Sequence, residues 1–170
     1  LDVLIRRRIE TVLLSPHGGF RARLMVDEHK HVERRRGQYL RLSDPAEALN
    51  TARVIVQGKL RNSARFLARR GSRHGLNEVN RLAAQIKGLA DLVERQEDME
   101  TVRGVEGRAS NLYFEAFPQL LRVPGFDFRG RNRRPPLDPV NALLSFVYTL
   151  LTLEVLTSIK VEGLDPYLGG

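Results

Sequence analysis

The chain contains no cysteine, which removes disulfide staples and thiolate metal sites from consideration and leaves the compartment unspecified, with cytoplasm as the default. The opening Leu1-Asp2-Val3-Leu4-Ile5-Arg6-Arg7-Arg8 lacks a charged leader, a long apolar stretch and a small-residue cleavage site in that order, so no secretory signal is expected. It lacks an initiating methionine as well. No internal repeat and no low-complexity tract interrupts the sequence. The composition, 42% hydrophobic and 28% charged, excludes intrinsic disorder, which goes with few apolar residues and a high net charge. The 170 residues suffice for one sizeable domain, or for the remnant of one joined to most of another.

What is present is cationic. Lys and Arg number 28 against 20 Asp and Glu, a formal charge of +8, and most of the cations are arginines, whose planar guanidinium suits bidentate contact with phosphate. A polyanion is the natural partner. The surplus is uneven: residues 44–73 and the run Arg129, Arg131, Arg133 and Arg134 are basic, whereas residues 76–100 are acidic. Charge of this kind predicts salt-sensitive binding to nucleic acid, without sequence preference.

The amino-terminal pattern predicts a short amphipathic helix through Arg8, then a β-branched run from Ile9 to Leu14 that meets the turn Ser15-Pro16-His17-Gly18-Gly19. Phe20 to Val26 roughly alternates apolar with polar, so a hairpin follows. Two strands alone are marginally stable, and this pair reads as the trailing edge of a β-domain whose earlier strands precede Leu1. From Asp44 the period becomes helical. Asp44 as N-cap, Pro45 in the first turn and Glu47 three residues after the cap form a start signal. Leu49, Ala52, Val56, Leu60, Ala64 and Leu67 then share one face, and Arg53, Lys59, Arg61, Arg65, Arg69 and Arg70 occupy much of the rest, until Gly71 to Gly75 ends the helix. A second helix carries Leu76, Val79, Leu82, Ala83, Ile86 and Leu89 at helical spacing, with an acidic outer face, and runs out near Asp98. A third begins close to Thr101 and is disturbed by Pro118. After a loop from Val123 to Pro136, Asp138 and Pro139 start a last helix that continues to Gly163. It is apolar nearly all round and spans about 35 Å at 1.5 Å per residue. Asn141, Ser145, Thr149 and Glu154 interrupt it, so the centre of a helical bundle suits it better than a membrane.

Candidate chemistry lies in a carboxylate, a histidine group and a basic loop. Glu106 stands between Gly104 and Gly107 within a helical period, where each glycine costs roughly 0.5–1 kcal/mol relative to alanine. Two such losses around one carboxylate suit a functional site that needs close backbone approach; an ion pair with Arg103 on a solvated face is the plainer alternative. His29 and His31 form a compact pair, but their neighbours are charged and no carboxylate completes a ligand set, so these two, His17 and His74 read as surface histidines. The run from Arg129 to Pro136 is a basic loop flanked by Phe126 and Phe128, able to grip phosphate and to stack splayed bases. A solvated charge run is the bland alternative.

Three segments carry a resemblance in order: Val105-Glu106-Gly107-Arg108-Ala109-Ser110-Asn111-Leu112-Tyr113-Phe114, then Phe128 to Phe146 with its Arg131-Asn132-Arg133-Arg134-Pro135-Pro136-Leu137-Asp138-Pro139-Val140-Asn141, then Gly163-Leu164-Asp165-Pro166-Tyr167-Leu168-Gly169. Together they resemble the CRISPR-associated integrases called Cas one. Gln38-Tyr39 and the segment from Val56 to Asn62 resemble that family's junction and first long helix, so nearly the whole chain is covered. The resemblance implies an α+β fold, with residues 1–43 the end of an amino-terminal β-domain and its linker, and residues 44–170 a mainly α-helical catalytic domain, incomplete at its carboxyl end. It implies Glu106 as a metal-binding and catalytic carboxylate, Tyr148 near the reacting phosphates, and Arg108, Arg129, Arg131, Arg133 and Arg134 as DNA contacts. The family's metal-binding histidine follows the motif that stops here at Gly169-Gly170, and its aspartate comes later, so a truncated metal site is expected.

The implied chemistry is phosphoryl transfer with Mg2+ or Mn2+. A free 3′ hydroxyl of a captured DNA fragment attacks the repeat of a CRISPR array, or water attacks in the nuclease version of the reaction. Implied partners are DNA, a second copy of the chain in a homodimer, the Cas two protein and, in some members, a fused reverse transcriptase or another nuclease; no membrane is implied. Two rival readings are a basic helical module that binds nucleic acid without chemistry, and a membrane-associated protein built on the last helix.

Overall fold

The structure, a computed structural model, describes residues 2–7, 9, 11–16, 20–24, 31–132 and 135–169. The chain opens with α1 (Asp2–Arg6) and an antiparallel hairpin of β1 (Thr11–Leu14) and β2 (Phe20–Leu24). Thr11 pairs with Leu24 and Leu14 with Phe20, with an irregularity between Leu13 and Leu14. The expected turn at His17 to Gly19 and the expected continuation through Met25 and Val26 lie outside the described residues, as does His29.

An element that the periodicity did not predict follows: α2 (Val32–Leu42), none of whose side chains is buried. The expectation for this stretch was linker. The helix is anchored instead to the far end of the chain, where Gln38 Nε2 donates to the carbonyls of Asp165 (3.0 Å) and Leu168 (3.4 Å), and its Oε1 accepts from the Asp165 amide at 2.7 Å. Tyr39 adds a hydroxyl bond to Asp165 Oδ2 at 2.8 Å, and Arg34 reaches the carbonyl of Glu162 at 2.7 Å. These contacts cross more than a hundred residues, and no local pattern reports them.

The helical body consists of α3 (Pro45–His74), α4 (Asn77–Leu92) and α5 (Met99–Ala116). Asp44 caps α3 as expected, its side chain accepting from the Ala46 amide at 2.9 Å. Glu47 does not close a capping box; it pairs with Arg41 at 2.7 Å. The helix runs on through Gly71, which is buried where α4 crosses: a Cβ there would meet the Asn80 side chain and lie 3.2 Å from the Asn80 amide. It stops at Gly75, whose φ of 67° is the left-handed cap conformation, with the Leu76 amide bonded back to Gly71 at 2.9 Å. Asp98 caps α5, which begins at Met99, two residues ahead of the expected Thr101, and a 3-10 turn at Phe117–Leu120 marks the break at Pro118.

Core packing follows the predicted stripes. Leu60, Ala64 and Leu67 of α3 meet Val79, Leu82 and Ile86 of α4, with Ala109 and Ala116 of α5 closing the cluster. Leu67, Val79 and Ile86 are fully buried, and burying a side chain of this size stabilises the fold by about 1.5–3 kcal/mol.

The last helix, α6 (Pro139–Val161), corrects an expectation. It does not sit at the centre of the bundle: only Val140 and Asn141 are buried, while Leu143, Val147, Leu151 and Val155 are exposed among the described residues. It is held at its ends and on one side, by α2 at Glu162 and by β2, where Arg23 Nη2 donates to Thr157 Oγ1 at 2.9 Å. By length and composition it is the one helix among the described residues that could cross a membrane. An all-round apolar sequence predicts burial, and among the described residues that expectation is largely unmet along α6.

Candidate active site

Helical spacing on three helices turns polar side chains toward one cavity of about 840 Å³. Lys59 and Ser63 come from successive turns of α3, Glu106, Ser110 and Tyr113 from one face of α5, and Ser145, Tyr148, Thr149 and Thr152 from one face of α6. The loop before α6 contributes Arg131. Glu106, Arg131 and Tyr148, far apart in the chain, thus line the same space.

Glu106 is half-buried, and its partner is Lys59 of α3, whose ammonium contacts Glu106 Oε1. This replaces the ion pair with Arg103 suggested by proximity on the helix. Nor do Gly104 and Gly107 receive a close-packed neighbour: a Cβ at either position would meet nothing within 4 Å. The helix surface beside Glu106 is open to solvent.

Arg131 is fixed from several sides. Its Nη1 donates to Asn141 Oδ1 (2.9 Å) and to the Asn132 carbonyl (2.5 Å), its Nη2 donates to Ser145 Oγ (3.2 Å), and its guanidinium lies 5.6 Å from the centroid of the Tyr148 ring. Behind it, Asn141 is fully buried and saturated. Asn141 Oδ1 also accepts the Asn132 amide at 3.0 Å, and Nδ2 donates to the Gly130 carbonyl (2.9 Å) and to Asp138 Oδ2 (2.6 Å). One side chain therefore ties the start of α6 to the basic loop. Hydrogen bonds from the Asn141 side chain, and next from its backbone amide, hold the Asp138 carboxyl below the usual aspartate range. Burial, followed by the charge on Tyr148, pushes the Tyr113 hydroxyl up.

The other sequence candidates divide. Arg108 and Arg129 are exposed and do not line the cavity; Arg133 and Arg134 lie outside the described residues. Sequence reasoning missed Lys59, Ser63 and Ser110 as cavity residues and read Ser145 and Thr149 only as interruptions of an apolar helix. A usable signal existed, since Ser145, Thr149 and Thr152 recur at one-face spacing.

No group of three His, Asp or Glu among the described residues could hold a metal ion. Glu106 supplies one hard oxygen donor, suitable as a single ligand of Mg2+ or Mn2+, which otherwise take water and substrate oxygens; it does not make a site alone.

The sequence pattern of the family described as CRISPR associated protein Cas1 matches residues 1–170. A Cas4 exonuclease/Cas1 endonuclease fusion of Geobacter sulfurreducens is 40% identical over 99% of this chain and 32% of its own length. A Cas1 endonuclease of Moorella thermoacetica is 41% identical, over 93% of this chain and 48% of its own length. The chain therefore spans half or less of these relatives. The solved structure of a Cas1 protein from Thermotoga maritima superimposes with a TM-score of 0.81 at 25% identity, covering 99% of this chain and 52% of that one.

Proposed function

The chain belongs to the CRISPR-associated Cas1 family, and from that membership together with the cavity around Glu106 we propose that it acts in a DNA integrase and endonuclease of CRISPR adaptation. The observation that carries the reading is the convergence of one carboxylate, two cations and two tyrosines on a cavity of about 840 Å³. Phosphodiester chemistry asks for this mixture: cations to hold the phosphate, and an anionic oxygen to bind a cation or orient the attacking hydroxyl.

Arg131, locked by Asn141, Ser145 and Tyr148, offers a phosphate a guanidinium that needs no ordering on binding. Lys59 neutralises Glu106 in the free protein, and an arriving phosphate competes for that ammonium and frees the carboxylate. Tyr148, about half exposed, lines the cavity with its ring beside the Arg131 guanidinium. Arg108, Arg129, Arg133 and Arg134 are further DNA contacts in this reading. Mg2+ or Mn2+ would draw charge from the reacting phosphate when bound, with Glu106 as one ligand. Transesterification requires only the DNA 3′ hydroxyl as nucleophile, so the chain's lack of cysteine is no obstacle.

The proposed partners are captured DNA and the CRISPR repeat, a second copy of the chain, and the Cas2 protein, in a prokaryotic cytoplasm. The Geobacter relative's name adds a fused Cas4 exonuclease as a partner of the same kind. Residues 44–170 as the catalytic domain, following the end of a β-domain, belong to the same proposal.

Strand transfer by the full-length protein with Cas2 tests the reading, with a labelled duplex, a plasmid carrying a repeat, and Mg2+, Mn2+ or chelator. Metal-dependent joined product that vanishes in Glu106→Ala is expected. Salt-sensitive DNA binding with no joined or cleaved product under either metal would leave only a basic binding module.

A further inference from the structure

The hydroxyl groups that line the Glu106 cavity divide by whether the fold already uses them. Ser145 accepts a hydrogen bond from Arg131, and Thr149 and Thr152 donate to carbonyls one turn back on α6. Ser63, Ser110, Tyr113 and Tyr148 have no hydrogen-bond partner among the described residues. A serine on a helix can turn back to its own backbone. A phenol, with its oxygen at the far end of a rigid ring, cannot, so both tyrosines keep a hydroxyl for water or a ligand. Tyr148 has a role in the function proposed above; Tyr113 has none.

Tyr113 is the more rigidly held of the two. Its ring meets Phe66 of α3 (centroids 6.5 Å apart), Phe114 (5.4 Å) and Phe117 (6.0 Å). Phe114 and Phe117 pack in turn against Phe128, which is buried just ahead of the basic loop. A ring engaged by three aromatic neighbours is poorly placed to stack on a base, which leaves its hydroxyl as the working end. The unpartnered oxygen is not a buried atom. Desolvation, and next the charge on Tyr148, disfavour the phenolate, so the hydroxyl keeps its proton and serves as a donor.

This neutral donor stands among charged groups. Tyr113 follows Glu106 by two turns on the same face of α5, about 10 Å along the axis, and Arg131 and Lys59 line the same cavity. In phosphoryl transfer, charge spreads over the nonbridging oxygens of the reacting phosphate. A hydroxyl already fixed in place answers that charge with a dipole, without the repulsion that a third cation would meet. We propose that Tyr113 is a further catalytic residue, its hydroxyl donating a hydrogen bond to a nonbridging oxygen of the phosphate under attack. It transfers no proton in this role. The inference rests on the strand-joining reading above.

The test is single-turnover strand transfer by the full-length protein with Cas2, into a repeat duplex carrying one phosphorothioate, in either configuration, at the joining site. Tyr113→Phe keeps the ring and its three neighbours, so its thermal unfolding should match the wild type. Joining into the unmodified duplex should slow about 10- to 100-fold, the range for one donor lost from a charged oxygen. Sulfur accepts hydrogen bonds poorly. At the oxygen that Tyr113 serves, sulfur should slow the wild type about tenfold and Tyr113→Phe not at all, the coupling that a double-mutant cycle between side chain and substrate reads. Sulfur in the other configuration should affect both proteins alike. A variant that joins at the wild-type rate, or that keeps the wild-type penalty in both configurations, overturns the role of Tyr113 and leaves the strand-joining reading intact. Absence of joined product from the wild type overturns that reading and this inference together.

Discussion

The ammonium of Lys59 on α3 meets the carboxylate of Glu106 on α5, 47 residues away in sequence, at the edge of the cavity shared with Arg131 and Tyr148. Both side chains are partly exposed, at 56% and 35%, so the pair contributes below about 1 kcal/mol to stability. In the proposed reading, a phosphate entering the cavity competes with Glu106 for the Lys59 ammonium.

Glu106→Gln should therefore lower product formation about 100-fold or more, while binding DNA as tightly as the wild type or more tightly, because Lys59 is released toward phosphate. Strand-transfer rates and anisotropy on the same preparation check both halves. Weaker DNA binding by the variant would count against the exchange.

Asn141→Ala removes the side chain that joins Arg131, Asn132, Gly130 and Asp138. Taking one hydrogen-bond partner from each of these half-buried groups should lower stability by about 1–3 kcal/mol, measured by denaturant unfolding. Arg131→Lys should leave stability nearly unchanged and still lose activity, since an ammonium cannot bond Asn141 and Ser145 together as the guanidinium fork does.

At Gly71 the close passage of α4 forbids a Cβ. Gly71→Ala should destabilise by about 1–2 kcal/mol, overpacking against Asn80 outweighing the gain in helix propensity. Asn80→Ala in the same chain should recover part of that loss, which a double-mutant cycle reads as coupling between the two positions.

The carboxyls of Asp98 and Asp138 cap α5 and α6. The Thr101 amide lowers the first, and the Asn141 side chain the second. A lowered folded pKa contributes stability above the unfolded value of about 3.9 and loses it as pH falls through the folded value. Acid melting should accordingly steepen below pH ~4, and Asp138→Asn, followed by circular dichroism, should melt over a shallower acid limb than the wild type.

The helical body was legible because its causes are local. Asp44 and Asp138 followed by proline start helices wherever the rest of the chain lies, and stripes such as Leu60, Ala64 and Leu67 require a neighbour whatever its identity. The hairpin and the helix break at Pro118 belong to the same class. The partner of Glu106, the burial of Asn141 and the formation of α2 do not. Each depends on groups outside its own helix, 47 residues away for Glu106, up to 11 for Asn141 and 126 for Tyr39 of α2, and hydrogen bonds to Asp165 leave no periodic trace in residues 32–42. The last helix marks the boundary between the two: its apolar residues predicted a burial that the described residues do not give it, because burial needs a packing neighbour, while the surrounding fold alone decided that its polar edge at Ser145, Tyr148 and Thr149 faces the cavity.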